Sequence, residues 1–232
     1  MTLVVDRVTS GYGDRSVVAE ISFTIEPGRI MALFGHNGAG KSTILKSLLG
    51  LIPVSSGTIT LDGHNLERLP VTERVEHGLR LLPEGRGVFP ELTVEENLAV
   101  VSAANPGRDG GAITASQVLE LFPALAERRQ ALAGNMSGGQ QQMLALGLAI
   151  IGSPRCLLLE EPSVGLQPDL VEHLFAQISR ICRELGVSAI LIEHKIASAM
   201  KIVDDVLIIN TGEVVFYGSN EETRRTDIWK FF

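Results

Sequence analysis

The chain has 232 residues, 45% apolar and 20% charged, a balance that excludes disorder and lets a chain of this length bury a core without disulfides. Its 20 Lys and Arg against 27 Asp and Glu leave a net charge of −7. That excludes general nucleic-acid binding through a basic surface, while leaving room for a local phosphate cradle.

At about 150 residues per domain, the length fits one embellished domain or two subdomains. Leu3 to Val5, Ile21 to Ile25 and Ile30 to Phe34 are short apolar runs punctuated by Gly11, Gly13 and Pro27-Gly28, which predict strands and turns. Gly35 to Thr43, GHNGAGKST, then fits G-x-x-x-x-G-K-[ST] after a predicted strand and at the start of a helix, the context this pattern demands. Glycines let backbone N–H groups close on phosphate oxygens, and the helix N-terminus adds its positive dipole end. In such a loop Lys41 reaches the β- and γ-phosphates, and the Ser42 hydroxyl can ligate magnesium.

Gly57 to Leu61 is a further strand, closed by the tight turn Asp62-Gly63. Thr93 with Glu96 forms a capping box that opens a helix through Val101. Ala104 to Ala112 is expected to be a flexible loop. Ser137 caps a helix that runs to about Ile151, and the amides behind it form a second anion site, distant enough to serve a different nucleotide molecule. Cys156 to Leu159 is a short buried strand that delivers Glu160 and Glu161 at its carboxyl end, where ligands of an open parallel sheet sit. One acid could complete a metal shell and the next polarise an attacking water. Pro168 suits the first turn of a helix in which Leu170, Leu174, Ile178, Ile181 and Leu185 keep the period. Ala189 to Ile192 and Val206 to Ile209 are buried strands separated by a helix near Ile196 to Ile202, and Gly212 to Tyr217 is the second arm of a hairpin. The alternation predicts a parallel α/β sheet interrupted by a nearly all-helical middle.

Cys156 and Cys182 match no metal or redox spacing and are expected to be small buried apolar residues, and the five histidines show no ligand spacing either. Asp6 and Arg7 fall too early for a signal-peptide core. The longest uncharged stretch, Gln130 to Pro154, contains Asn135, Ser137 and a run of Gln, which a bilayer span would not. The expectation is a cytoplasmic chain that only another subunit could hold at a membrane.

Six motifs in order carry a resemblance over nearly the whole length. GHNGAGKST matches a phosphate loop, LLPEG a Q-loop, MSGGQ a signature LSGGQ, LLLEEPS a second Walker motif, SVGLQP a D-loop and LIEHK a histidine switch. The chain resembles the nucleotide-binding subunit of an ATP-binding-cassette (ABC) transporter. That implies an α/β fold: a P-loop NTPase core with a parallel sheet and an antiparallel β subdomain (1–84 and 153–232), and an inserted α-helical signature subdomain (85–152).

The resemblance implies nucleotide contacts from Tyr12, stacking on adenine, and from Gly35, His36, Asn37, Gly38, Ala39, Gly40, Lys41, Ser42 and Thr43. Val17 matches an apolar residue beside the nucleotide and fits an ordinary core valine nearly as well. Ser137, Gly138, Gly139 and Gln140 would act in trans on the ATP of a second cassette. Glu161 would orient or deprotonate the water, His194 would contact the γ-phosphate, Lys41 would offset charge, and Ser42, Glu84 and Glu160 would hold Mg²⁺. The implied partners are membrane permease subunits, a second identical or different ABC ATPase subunit and, indirectly, a substrate-binding protein. The implied location is the cytoplasmic face of the inner or plasma membrane.

Glu160 stands where family members usually carry Asp. Its extra methylene displaces the carboxylate by roughly an ångström against magnesium's narrow octahedral preference, so reduced turnover with retained nucleotide binding is expected. Glu84 replaces the usual Q-loop Gln, Leu148 an Arg of many signature helices, and Gln167 the usual D-loop Asp. LLPEGRGVFPELTVEENL and MSGGQQQMLALGLAI are most similar to the smaller ATPase of branched-chain amino acid uptake systems. Urea and short-chain amide importers share much of the pattern, and His194 departs from the Gln frequent in that branch. A soluble ABC ATPase outside transport and a regulatory module with weak hydrolysis remain alternatives, although the chain lacks the long coiled coils, tandem cassettes and metal-binding cysteines of the soluble class.

Overall fold

The apolar runs pair into two sheets in the computed structural model, which describes residues 2–85, 87–105 and 113–231. Residues 106–112, most of the stretch expected to be a loop, lie outside the described residues. The chain runs through β1 (Leu3–Tyr12), β2 (Arg15–Ile25), β3 (Ile30–Phe34), α1 (Lys41–Leu49), β4 (Val54–Leu61), β5 (His64–Asn65), α2 (Val71–Glu76) and β6 (Leu79–Leu82). The helices α3 (Val94–Ala104), α4 (Ala115–Leu121), α5 (Pro123–Ala126) and α6 (Gly138–Ile150) follow. The chain then returns to the sheet through β7 (Cys156–Glu160), α7 (Pro168–Leu185), β8 (Ser188–Ile192), α8 (Ile196–Ala199), β9 (Asp205–Asn210), β10 (Glu213–Ser219) and α9 (Asn220–Arg225).

Four strands form an antiparallel sheet, β2-β1-β4-β5, and six form the central sheet, β10-β9-β3-β8-β7-β6, parallel except for β10. The inner strands are buried on both faces, as a covered parallel sheet requires. Ile30, Ala32, Leu157, Leu159, Ala189 and Leu191 face the core built with α6 and α7. Met31, Leu33, Leu158, Ile190 and Ile192 face α1 and the antiparallel sheet. Tyr217 joins the sheets by donating its hydroxyl to the Thr24 carbonyl at 2.8 Å. The buried Arg74 ties α2 to the end of α1, donating to the Ser47 and Leu48 carbonyls at 2.7 and 2.8 Å.

Local signals explain most boundaries. In the capping box at α3, the Glu96 amide donates to the Thr93 hydroxyl at 3.2 Å and the Thr93 amide to the Glu96 carboxylate at 2.7 Å. Replacing Thr93 by Ala is expected to cost about 1 kcal/mol of stability, measured as a lower urea midpoint at unchanged slope. The stripe on α7 differs from the expectation: Leu174, Ile178 and Ile181 are buried, but so are Val171, Phe175 and Cys182, while Leu170 and Leu185 remain exposed. The helix after His194 ends at Ala199 rather than Ile202, where the chain tightens into turns, with Lys201 donating to the Ser198 carbonyl at 3.2 Å and Ile202 to that of Ala199 at 3.0 Å. Both cysteines are buried and free; burial pushes the Cys156 thiol up and the Cys182 thiol up to about 12. No described helix is long and apolar enough to cross a membrane.

Candidate functional site

The central sheet gathers chemistry at one edge. Leu33 of β3 pairs with Ile192 of β8, Ile192 with Glu160 of β7, and Leu82 of β6 with Leu159. Four parallel strands therefore end almost level. They release the loop 35–40, the His194 turn, Glu160-Glu161 and Glu84 on the same side, outside the carboxyl ends where such sheets bind ligands.

The loop that follows β3 winds around the Lys41 ammonium, which donates to the Gly35 and His36 carbonyls at 2.8 and 3.0 Å. Lys41 is buried, and burial lowers its pKa, partly opposed by the Glu161 carboxylate. Gly40 precedes α1 with φ 107°, and a Cβ there would stand 2.5 Å from Val18 Cγ1. Only glycine fits that conformation and that gap. The loop is also tied from behind: Gly212 donates its amide to Ala39 at 3.0 Å and accepts from the Ala19 amide at 2.9 Å. His36 Nε2 lies 2.9 Å from Asn210 Oδ1.

Glu161 has φ 46°, a left-handed conformation that non-glycine residues seldom adopt and that concentrates at functional sites. Its amide donates to the Ile192 carbonyl at 3.0 Å, continuing the β7–β8 ladder by one residue. This aims Glu161 Oε1 at His194 Nε2, 2.9 Å away. Before His194 sits the buried Glu193, whose Oε1 accepts from the His194 and Lys195 amides at 2.8 and 3.1 Å. Glu193 Oε2 and the hydroxyl of the fully buried Ser163 have no hydrogen-bond partner. Each such buried polar atom costs about 1–3 kcal/mol.

Glu160 is buried, Ser42 half-buried and Glu84 exposed, and among the described residues none of their side chains is engaged by a hydrogen bond. A hydroxyl and two carboxylates are hard oxygen donors and fit Mg²⁺, which takes one or two carboxylates and fills its shell from phosphate and water. No group of three or more His, Cys, Asp or Glu that could hold a metal ion is present among the described residues.

The remaining expected residues come from other elements. Tyr12 ends β1 at the tip of the first hairpin, 55% exposed and open to stacking. Val17 is partly buried, and its carbonyl would stand 3.5 Å from a Cβ at Gly40. Ser137 caps α6 in a second capping box, its hydroxyl accepting from the Gln140 amide at 3.3 Å and Gln140 Oε1 from the Ser137 amide at 3.1 Å. Ser137, Gly139 and Gln140 line a cavity of about 390 Å³ with α5 and α7 rather than the phosphate loop. Leu148 is buried in the core, and Gln167 precedes α7 without capping it. Asn210, Glu193 and Lys195 escaped the sequence reading. Asn210 could have been found as the last residue of β9, the other neighbour of β3.

A family model described as "ABC transporter" matches residues 18–164. The high-affinity branched-chain amino acid transport ATP-binding protein BraG of Pseudomonas aeruginosa is 41% identical over 91% of this chain and 90% of its own. The probable branched-chain amino acid transport ATP-binding protein LivF of Archaeoglobus fulgidus is 33% identical over 93% and 91%. Among solved structures, a nucleotide-free ATP-binding cassette from an ABC transporter superposes with a TM-score of 0.84 at 20% identity, covering 97% of this chain and 94% of that one. A dimeric ATP-binding cassette in a post-hydrolysis state with ADP and Pi gives 0.79 at 20% identity, covering 94% and 98%.

Proposed function

Because the chain belongs to the ABC transporter family, as one of its ATP-hydrolysing subunits, we propose that it energises a branched-chain amino acid importer from the cytoplasmic face of the membrane. The observation that carries the mechanism is the level ending of β3, β7 and β8, which brings the Lys41 loop and the Glu161–His194 pair out at one sheet edge. The loop amides and Lys41 would hold the phosphates and offset charge as the γ-phosphoryl leaves. Glu161 would take the proton of the attacking water through Oε1, and His194, its present partner, would turn to the γ-phosphate. Ser42, Glu84 and Glu160 would hold Mg²⁺, which when bound neutralises phosphate charge.

Tyr12 would stack on adenine. With the Ser137 and Gln140 amides held in the capping box, the Gly138 and Gly139 amides at the start of α6 are the ones suited to an anion, and the lining of their cavity by α5 and α7 with no residue of the phosphate loop supports a role on the ATP of a second cassette. In this reading residues 85–152 form the signature subdomain and the rest the core. Closure on ATP and opening after hydrolysis are the two states that drive the permease. The solute rests on the two relatives named for branched-chain amino acid transport.

The test reconstitutes the chain with its genomic permease neighbours and follows phosphate release as a loaded binding protein is added. Leucine, isoleucine or valine should stimulate release. Stimulation by urea or a short amide instead would overturn the solute assignment.

Glu160→Asp is expected to raise kcat several-fold with little change in nucleotide affinity, because it returns the carboxylate by about an ångström to octahedral reach. Steady-state phosphate release checks this, and an unchanged rate refutes it.

A further inference from the structure

Among the described residues Lys195 makes no hydrogen bond to the phosphate loop or to Glu161, yet it joins the two turns that leave β7 and β8. Its ammonium donates to the Ser163 carbonyl at 3.0 Å and to the Leu166 carbonyl at 3.3 Å. Those carbonyls belong to a tight loop, with Val164 donating to the Glu161 carbonyl at 3.2 Å and Leu166 to that of Ser163 at 3.2 Å. On the other side, the Lys195 amide and that of His194 are both fixed by the buried Glu193 carboxylate. The ring is closed by the Glu161–His194 contact at 2.9 Å.

We propose that Lys195 is a positioning residue that makes the His194 turn and the 162–167 loop a single moving part. This rests on the nucleotide-binding function above. When His194 leaves Glu161 for a γ-phosphate, the Glu193-held turn carries the Lys195 backbone with it, and the two charge-assisted bonds pull on the Ser163 and Leu166 carbonyls. That loop leads directly into α7 through Gln167, so nucleotide occupancy at one sheet edge is transmitted to the start of the longest helix. The unpaired Ser163 hydroxyl and Glu193 Oε2 flank the joint. They are buried polar groups that a second arrangement of the loop can satisfy, as a two-state element requires. A second tie, from Glu172 of α7 to Ser198 of α8 and to Lys201 just beyond it at 2.8 Å each, is solvent-exposed and correspondingly weak.

The experiment uses the full chain and three variants. Lys195→Met keeps the stem and removes the donors, Lys195→Arg keeps donors, and Glu172→Gln cuts the outer tie. Binding of a fluorescent ATP analogue is measured first, then steady-state ATP hydrolysis and amide hydrogen exchange with and without a non-hydrolysable ATP analogue. Lys195→Met should lower kcat about tenfold with KM for ATP within about twofold, because the phosphate loop is untouched while coupling is lost. In the wild type the analogue should change exchange at 193–196 and 162–167 together; in Lys195→Met only at 193–196. Lys195→Arg should restore the joint response, and Glu172→Gln should leave it intact. If Lys195→Met lowers the melting midpoint, Lys195→Gln repeats the exchange measurement. A loop that still responds without Lys195 overturns the inference alone. A wild-type chain that binds no nucleotide overturns the function and the inference together.

Discussion

Glu161→Gln is expected to lower the rate of ATP hydrolysis by roughly 10²–10⁴-fold while leaving nucleotide binding in place, the range attached to a positioned general base. The substitution is nearly isosteric. It keeps an oxygen able to meet His194 at the 2.9 Å now seen for the carboxylate, but an amide cannot take up a proton from water. It also leaves the Lys41 bonds to Gly35 and His36 unaltered, so the phosphate cradle survives. With hydrolysis blocked and binding intact, ATP should accumulate on the protein and hold two copies together. Phosphate release and size-exclusion chromatography with ATP measure the two halves. Turnover within a few-fold of wild type would remove Glu161 from the role of base.

Gly40→Ala should combine a stability loss with a loss of nucleotide affinity. At φ 107° an alanine is strained, and its Cβ would meet Val18 Cγ1 at 2.5 Å. Backbone strain and overpacking each cost about 1–3 kcal/mol, so the sum is about 2–6 kcal/mol. Gly40 also opens α1, so relief by backbone movement tilts the first amides of that helix away from the phosphates they are placed to bind. The urea midpoint and fluorescent-nucleotide titration should both fall. A variant of wild-type stability with wild-type affinity would show that the loop tolerates a side chain there.

The parts legible in the sequence were those whose causes are local. Glycines spaced around Lys41 mark a phosphate loop without any tertiary information, and Thr93 with Glu96, or Ser137 as an N-cap, announce helix starts through bonds a few residues long. The nearness of Glu161 to His194 was less legible. They are 33 residues apart, and their contact follows from β7 pairing with β8, which no local pattern specifies. The four-residue β6, Leu-Arg-Leu-Leu, is too short for a period and was not expected. On α7 the period alone admitted Leu170 and Leu185 to the buried stripe, and packing selected Val171, Phe175 and Cys182 with the inner three. Lys195 stood inside the LIEHK motif without a role, because its side-chain partners are backbone carbonyls, which every residue has.

The level strand ends also decide where this chain can change length. One residue inserted into β7 would advance Glu161 by about 3.3 Å and exchange the two faces of the strand, moving Leu157 and Leu159 into the opposite core. The same insertion beside Gly186, in the turn between α7 and β8 at the opposite edge, faces open space and lies upstream of the register. Indels in natural or engineered versions of this chain should therefore collect on the far side of the sheet, leaving the interval from each paired strand residue to its reactive side chain fixed.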